Sequence, residues 1–443
     1  MSDVLLSGWG RTAPTRAHVV EVSDAAHVAA ALLHAPARGL IARGLGRSYG
    51  DPAQNAGGDV LDITGLTGIA FDTAIGVATV AAGVSLDALM RECTPQGWWV
   101  PVTPGTRQVT VGGAIAADVH GKNHHVDGTF TAHVARMALS LPDGTLVNVY
   151  PGDALFNATA GGMGLTGVVV EADIQLLPIT TALARVDTDR FDDLDSLMAA
   201  MASGDDQYRY SVAWVDAGTR GTLGRGILIR GDHANAADIP ERKRTLAFDP
   251  GTLATVPALV PNGLLNKASI TALNEAWFRK APRQRRDELQ SLTAFFHPLD
   301  MARDWNRMYG PRGFLQYQFV VPDSAGHVVQ RTLEALRTIG ATSFLTVLKR
   351  FGAEGPGLLS FPQPGWTLAL DIPTGVPGLA PVLDRLDELV IEGGGRLYLA
   401  KDSRMTPRTL ELTYPRLAQF RALRAEIDPN RRLNSDLARR LDL

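Results

Sequence analysis

Three short glycine-rich clusters in the first 170 residues, at 43–51, 104–123 and 160–167, constrain this chain more than any other feature. Glycine and alanine at such density let backbone approach a large flat ligand, because no bulky side chain stands between them. In Pro104-Gly-Thr-Arg-Gln-Val-Thr-Val-Gly-Gly-Ala-Ile-Ala-Ala-Asp-Val-His-Gly-Lys-Asn-His-His125 the polar groups Thr106, Thr110, Asp118, His120, Lys122 and Asn123 punctuate an apolar run. The segment reads as a ligand-contacting loop and strand. In Ile41-Ala-Arg-Gly-Leu-Gly-Arg-Ser-Tyr-Gly-Asp51 a glycine turn follows an apolar strand, so its amides can cradle a pyrophosphate. Gly44 and Gly46 resemble the start of a dinucleotide fingerprint with Asp62 as ribose ligand, but that motif must run into a helix. Here it runs into Asp51-Pro52 and then Asn55-Ala-Gly-Gly58, which favours a flavin pyrophosphate loop over a dinucleotide elbow. Ala160-Gly-Gly-Met-Gly-Leu-Thr-Gly167 alone is an ordinary turn signal. The three together imply a nucleotide cofactor.

A chain of 443 residues exceeds the size at which one core keeps growing, so two domains are expected. A net charge of -3 offers no general attraction to nucleic acid. The single cysteine, Cys93, excludes an internal disulfide framework and a thiolate metal cluster. His120, His124 and His125 lack a carboxylate or thiol at ligand spacing, and Lys122 among them repels a cation, so no metal is expected. The first residues carry neither the basic nor the apolar region of an ordinary signal peptide. Apolar runs such as 165–170 stop far short of the roughly 20 residues a membrane span needs. A soluble or peripheral protein is expected, cytoplasmic or at the inner membrane, with the cell envelope as the other location.

From 39 to about 177, short β-branched runs alternate with glycine turns and predict strands at 40–42, 60–63, 76–81, 137–141, 147–150 and 167–176. Capped alanine- and leucine-containing stretches predict helices at 23–35 and 85–93. The class is α+β. Beyond Pro178 the pattern lengthens, with strands expected at 208–216, 314–321, 343–349 and 366–372 and helices at 192–202, 325–339 and 379–392. Strands with a site on one side and helices on the other produce such a pattern. Residues 251–290, proline-punctuated, first apolar and then basic, read as a mobile loop or lid without a regular element. Lys401, in Tyr398-Leu-Ala-Lys-Asp-Ser-Arg404, reads from pattern alone as half of a surface ion pair with Asp402.

Gly8-Trp-Gly-Arg-Thr12, Ala42-Arg-Gly-Leu-Gly-Arg-Ser-Tyr-Gly-Asp51, the segment 104–125, Phe295-Phe-His-Pro-Leu-Asp300, Gly313-Phe-Leu-Gln-Tyr-Gln-Phe319 and Ala400-Lys-Asp-Ser-Arg404 resemble the decaprenylphosphoryl-β-D-ribose 2-oxidase family. These are the flavin subunits of an epimerase that makes the arabinose donor of bacterial cell-wall arabinan. The resemblance implies a vanillyl-alcohol-oxidase (PCMH-type) FAD-binding fold with an inserted antiparallel-sheet substrate domain. Residues 1–178 and 395–443 would form the FAD domain and 179–394 the substrate domain. It further implies FAD contacts from Ala42, Arg43, Gly44, Leu45, Gly46, Arg47, Ser48, Tyr49, Gly50, Asp51 and Pro52, from Gly105, Thr110, Val111, Gly112, Gly113, Ala117, Asp118, Val119 and His120, and from Val168 and Tyr398. Lys401 and His120 are the implied catalytic residues, and Gln316, Gln318, Lys349, Trp214, Thr367 and Phe296 the substrate-side ones. The implied reaction oxidises the ribose 2-hydroxyl of a polyprenylphosphoryl sugar to a ketone, with Lys401 as base and His120 as the alternative. A quinone-like acceptor reoxidises the flavin, and an NAD(P)H-dependent reductase completes the epimerisation. Where many superfamily members tether FAD through histidine, this chain has Arg47, so FAD is expected to be non-covalent. Leu253 to Leu265, with the basic residues after it, offers an apolar landing surface for a lipid tail or a membrane. Departures from the family pattern include Ala369 for a cysteine beside the flavin, Thr367 for an asparagine, Phe296 for a tyrosine, Asn157 for a tryptophan and Met163 for an asparagine. The enzymatic alternative is a soluble sugar, alditol or aldonolactone oxidase of the same fold that uses oxygen.

Overall fold

The computed structural model describes residues 3–218 and 221–443. Its first sheet has the spatial order Asp3–Leu6, Thr15–Glu21, Asp59–Asp62, Leu40–Arg43, the last three strands parallel. A second, antiparallel sheet runs Ile69–Asp72, Val77–Ala81, Val168–Gln175, Val134–Ser140, Leu146–Val149. The chain's end closes on the first sheet: Leu40 N donates to Arg432 O at 2.7 Å and Asn434 N to Leu40 O at 2.8 Å. Helix Leu86–Cys93 begins where Ser85 accepts from Ala88 N at 3.1 Å, the cap its sequence predicts.

The third sheet is antiparallel throughout, in the order Gln284–Ser291, Leu183–Phe191, Gly226–His233, Tyr210–Val215, Thr346–Phe351, Gly365–Pro373, Phe314–Val321, Arg396–Leu397. The period of two in Phe314–Val321 decides what each face does. Tyr317 points to helix Leu379–Glu392, where its hydroxyl donates to Asp387 at 3.0 Å. Gln316 and Gln318 point the other way, into a cavity. Register then sets their neighbours, because directly paired residues share a face: Gln316 pairs with Asp371, Gln318 with Ala369, and across the next strand Val347 with Ala369 and Lys349 with Thr367.

Three sequence expectations are corrected. The run after Thr110 is a helix, Val111–Ala116, not a strand; Thr110 Oγ1 caps it by accepting from Gly113 N at 3.1 Å. Within 251–290, read as lacking regular elements, lies helix Lys267–Lys280, closed by a capping box between Asn266 and Ser269. It buries only the stripe Ile270, Asn274, Phe278, so its apolar period is weak. The same stretch ends in the edge strand Gln284–Ser291, whose Gln-Arg-Arg-Asp-Glu start has no apolar alternation, as suits an edge that must not pair further.

Candidate active site

Four segments far apart in sequence are stitched by backbone hydrogen bonds into one wall. Trp9 N donates to Ser48 O at 2.7 Å, Gly10 N to Tyr49 O at 3.1 Å, and Tyr49 N to Ala400 O at 2.9 Å. Phe314 N donates to Gly10 O at 2.8 Å and Tyr398 N to Gln318 O at 3.1 Å. Such close backbone contact demands glycine. A Cβ on Gly50 would sit 1.8 Å from Asp402 O and one on Gly8 2.1 Å from Gly50 O. The wall therefore fixes Tyr49, Gln318 and the turn carrying Lys401 relative to one another.

This wall, the glycine clusters and the third sheet enclose a cavity of about 410 Å³. Of the residues singled out from sequence, it is lined by Ala42, Gly44, Leu45, Gly46, Arg47, Ser48, Tyr49, Pro52, Gly105, Thr110, Gly112, Gly113, Ala117, Val119, His120, Val168, Tyr398, Gln316, Gln318, Lys349 and Lys401. Arg43, Gly50, Asp51, Val111 and Asp118 do not line it but support those that do. Arg43 donates to Ser7 O at 2.8 Å and Ala53 O at 2.9 Å, beneath the left-handed turn at Gly46. Asp51 pairs with Arg440 at 2.7 Å, and buried Asp118 accepts from Thr131 Oγ1 at 2.5 Å. Trp214, Thr367 and Phe296 also stand off the cavity. Trp214 Nε1 is 3.5 Å from Phe344 O, and Thr367 accepts from Gln318 Nε2 at 3.3 Å while donating to Phe319 O at 2.8 Å. Phe296 is buried against Trp99, Tyr210 and His233. Thr252, Leu299, Asp300, Arg303 and Trp305 are among the further lining residues. Of these only Leu299 and Asp300 lie in a motif legible beforehand; Asp300 accepts from Thr106 Oγ1 at 2.7 Å and Arg107 N at 2.8 Å and so anchors the second glycine cluster.

The polar chemistry gathers at one end. Lys401 does not pair with Asp402, which binds Arg440 at 2.8 Å instead; its ammonium lies 4.0 Å from the centre of the Tyr49 ring. Burial lowers Lys401 to about 8, opposed by the charge of Asp371. Lys349 falls to about 7 through burial and the nearby charges of Lys401 and Lys122. Among the described residues neither lysine forms an ion pair. Burial, then Lys349, His124 and Lys401, hold His120 well below its usual range, so its ring is neutral. Its Nε2 lies 3.2 Å from Gln318 Nε2, and an amide nitrogen only donates, which assigns the ring proton to Nδ1. His124 and His125 diverge from it, toward Gly352 N and Tyr208 O.

Comparison with known proteins gives the frame for this geometry. Residues 16–150 match the FAD binding domain family. The chain is 46% identical, over 99% of its length and 97% of the relative's, to decaprenylphosphoryl-β-D-ribose oxidase of Mycolicibacterium smegmatis. It is 24% identical over 84% of its length to alditol oxidase of a Streptomyces species, covering 82% of that protein. It is 22% identical over 98% of its length to L-gulono-1,4-lactone dehydrogenase of Mycobacterium tuberculosis, covering 98% of that protein.

The cavity itself fits FAD. A Cβ built on Gly105 meets nothing within 4 Å and its φ lies outside the left-handed region, so no contact within the protein requires glycine there. Gly105 lines the cavity and leaves open space there, into which a flat ligand can approach its backbone. The glycines and alanines of the first two clusters offer amides and flat walls that would hold the cofactor, and the two half-buried lysines would offer positive charge to it when reduced. The chain belongs to the decaprenylphosphoryl-β-D-ribose oxidase family, and FAD is its cofactor.

Proposed function

We propose that the protein oxidises the 2-hydroxyl of a polyprenylphosphoryl-β-D-ribose to the ketone, the first half of an epimerisation that yields the arabinose donor for cell-wall arabinan. The observation that carries this reading is that Gln316, Gln318, Lys349 and Lys401 line the same cavity as the glycine clusters that would hold FAD. Bound FAD supplies the two-electron oxidant. Lys401 Nζ, as free amine, accepts the proton leaving the 2-hydroxyl, so that the C–H electron pair is free to depart from C2. His120 is the weaker base, because its Nε2 already receives the Gln318 amide; it orients that amide toward the sugar. Lys349 and the two glutamines hold sugar hydroxyls and phosphate by charge-assisted and neutral hydrogen bonds. Residues 1–178 with 395–443 serve the cofactor and 179–394 the substrate in this reading. A quinone-like acceptor removes the electrons, and an NAD(P)H-dependent reductase consumes the ketone.

No helix among the described residues is long and apolar enough to cross a membrane. The lipid tail is instead received at the cavity mouth. Thr252, Ala302 and Arg303 line the cavity; beside them Leu253, 81% exposed, donates its N–H to Met301 O at 2.8 Å, and further along the same segment Leu259 is 95% exposed. The enzyme would work as a peripheral protein at the membrane surface through this patch. Flotation with liposomes tests it: the protein should rise with vesicles, and a Leu253→Ser/Leu259→Ser variant should stay behind.

The functional test is anaerobic flavin absorbance on mixing with a polyprenylphosphoryl-β-D-ribose analogue. Bleaching that is lost in Lys401→Ala is expected. A flavin reduced by free alditols or aldonolactones and not by the analogue would replace this reading with a soluble oxidase.

A further inference from the structure

Behind the glutamine row sits a carboxylate to which sequence reading gave no role. Asp371 is fully buried and paired in register with Gln316. Its Oδ1 accepts from Gln316 Nε2 at 2.5 Å, its Oδ2 has no partner, and its own backbone N–H reaches Ser343 Oγ at 3.1 Å. The groups facing it are Lys401, Gln316 and the phenols Tyr49 and Tyr309, the latter hydroxyl also unpartnered. Those facing Lys401 are Asp371, Lys349, His120 and the Tyr49 ring. Of these Asp371 is the single acidic side chain.

A buried carboxylate with one empty oxygen is costly unless something compensates it. Here burial pushes Asp371 up to about 7, and the Gln316 amide on one side and the ammonium of Lys401 through space on the other hold it down, so its charge is fully present only above neutral pH. With its amide nitrogen held by Asp371, Gln316 is fixed in the cavity wall beside the Tyr49 hydroxyl. We propose that Asp371 is a positioning residue for the reaction: it fixes Gln316 by its hydrogen bond and, with its unpartnered oxygen, supplies the buried negative charge that faces Lys401. Burial lowers both lysines; the charges of Lys401 and Lys122 lower Lys349 further, whereas the charge of Asp371 opposes the lowering at Lys401. A base must bind the leaving proton well enough to take it and still be unprotonated at working pH, which favours a value near that pH.

The inference rests on the proposed function only in calling Lys401 the base, so its test reads protonation and not turnover. The FAD-loaded enzyme and its Asp371→Asn variant are acetylated competitively with trace acetic anhydride across pH 6–10, and labelling at Lys401 and Lys349 is quantified by peptide mass spectrometry. Asparagine preserves shape and still accepts from Gln316 Nε2. The labelling midpoint of Lys401 should fall by about one pH unit, a tenfold larger reactive fraction below the midpoint, while that of Lys349 moves less and, relieved of part of the Lys401 charge, upward. Asp371→Glu, which restores the charge, should return it. A Lys401 midpoint that does not move in Asp371→Asn overturns the proposal, as does a shift of equal size at both lysines. If Asp371→Asn does not fold, the Asp371→Ser midpoint decides in the same way. Loss of flavin bleaching in Lys401→Ala bears on the base assignment alone, so the two readings fail separately.

Discussion

Gly105→Ala separates a glycine kept for the protein from one kept for its cofactor. The new methyl meets no protein atom within 4 Å and imposes no left-handed strain, so the apoprotein should lose no more than about 0.5 kcal/mol, as an unobstructed surface change does. It projects into the cavity, however, and an extra methyl forced against a close-packed partner costs about 1–3 kcal/mol. At about 1.4 kcal/mol per decade this weakens FAD binding by about fivefold to 150-fold. Gly44→Ala behaves differently. Its Cβ would stand 2.2 Å from Thr110 Oγ1, the atom that caps Val111–Ala116. Displacing that cap costs about 1 kcal/mol and the overpacking a further 1–3, so the apoprotein itself should melt several degrees lower. The assay is FAD titration of deflavinated protein by fluorescence quenching, with melts of each apoprotein. Wild-type FAD affinity in Gly105→Ala, or an apoprotein melting loss matching that of Gly44→Ala, would refute the assignment of this wall to the cofactor.

Other outcomes are equally specific. Flavin reduction by substrate should accelerate as pH rises through about 8, because Lys401 takes the hydroxyl proton only after losing its own; a rate that falls over that interval would dismiss an amine base. Acid precipitation should leave the yellow colour in the supernatant, since Arg47, its guanidinium 4.1 Å from the centre of the Trp9 ring and its Nε donating to Gln108 O at 2.9 Å, is no nucleophile. Nitroaromatic inhibitors that trap a flavin-side cysteine in related enzymes should leave no mass adduct here, because Ala369 lines the cavity and the lone thiol, Cys93, is fully buried and pushed up to about 12. Ala369→Cys should acquire the adduct.

The elements that were legible in the sequence are those whose pattern is one-sided. Phe314–Val321 reads as a strand because aromatic and β-branched residues fill it, and its two glutamines are conspicuous as polar interruptions. Gln284–Ser291 is illegible for the opposite reason: it owes its conformation to Leu183–Phe191 alongside it, and five of its eight residues are charged or polar before the first leucine. Val111–Ala116 misleads differently. Glycine and β-branched residues argue against helix, but the Thr110 cap and burial of Val111, Ala114 and Ile115 override six residues of weak propensity.

The site divides along the same line. Contacts made by backbone left a trace, because each close approach had to be a glycine: Gly8 against Gly50 and Gly50 against Asp402. Contacts made by charge left none. Asp402, adjacent in sequence, is the obvious partner for Lys401, yet the turn that begins at Tyr398 sends Asp402 outward to Arg440 and Lys401 inward over Tyr49. The carboxylate whose charge opposes the effect of burial on the lysine is 30 residues earlier, on Gly365–Pro373, where the antiparallel register places Asp371 opposite Gln316. A one-residue slip of that register would turn Asp371 to the helix-covered face and leave Lys401 without its counter-charge. The chemistry of the amine is therefore set by sheet pairing and not by its local sequence.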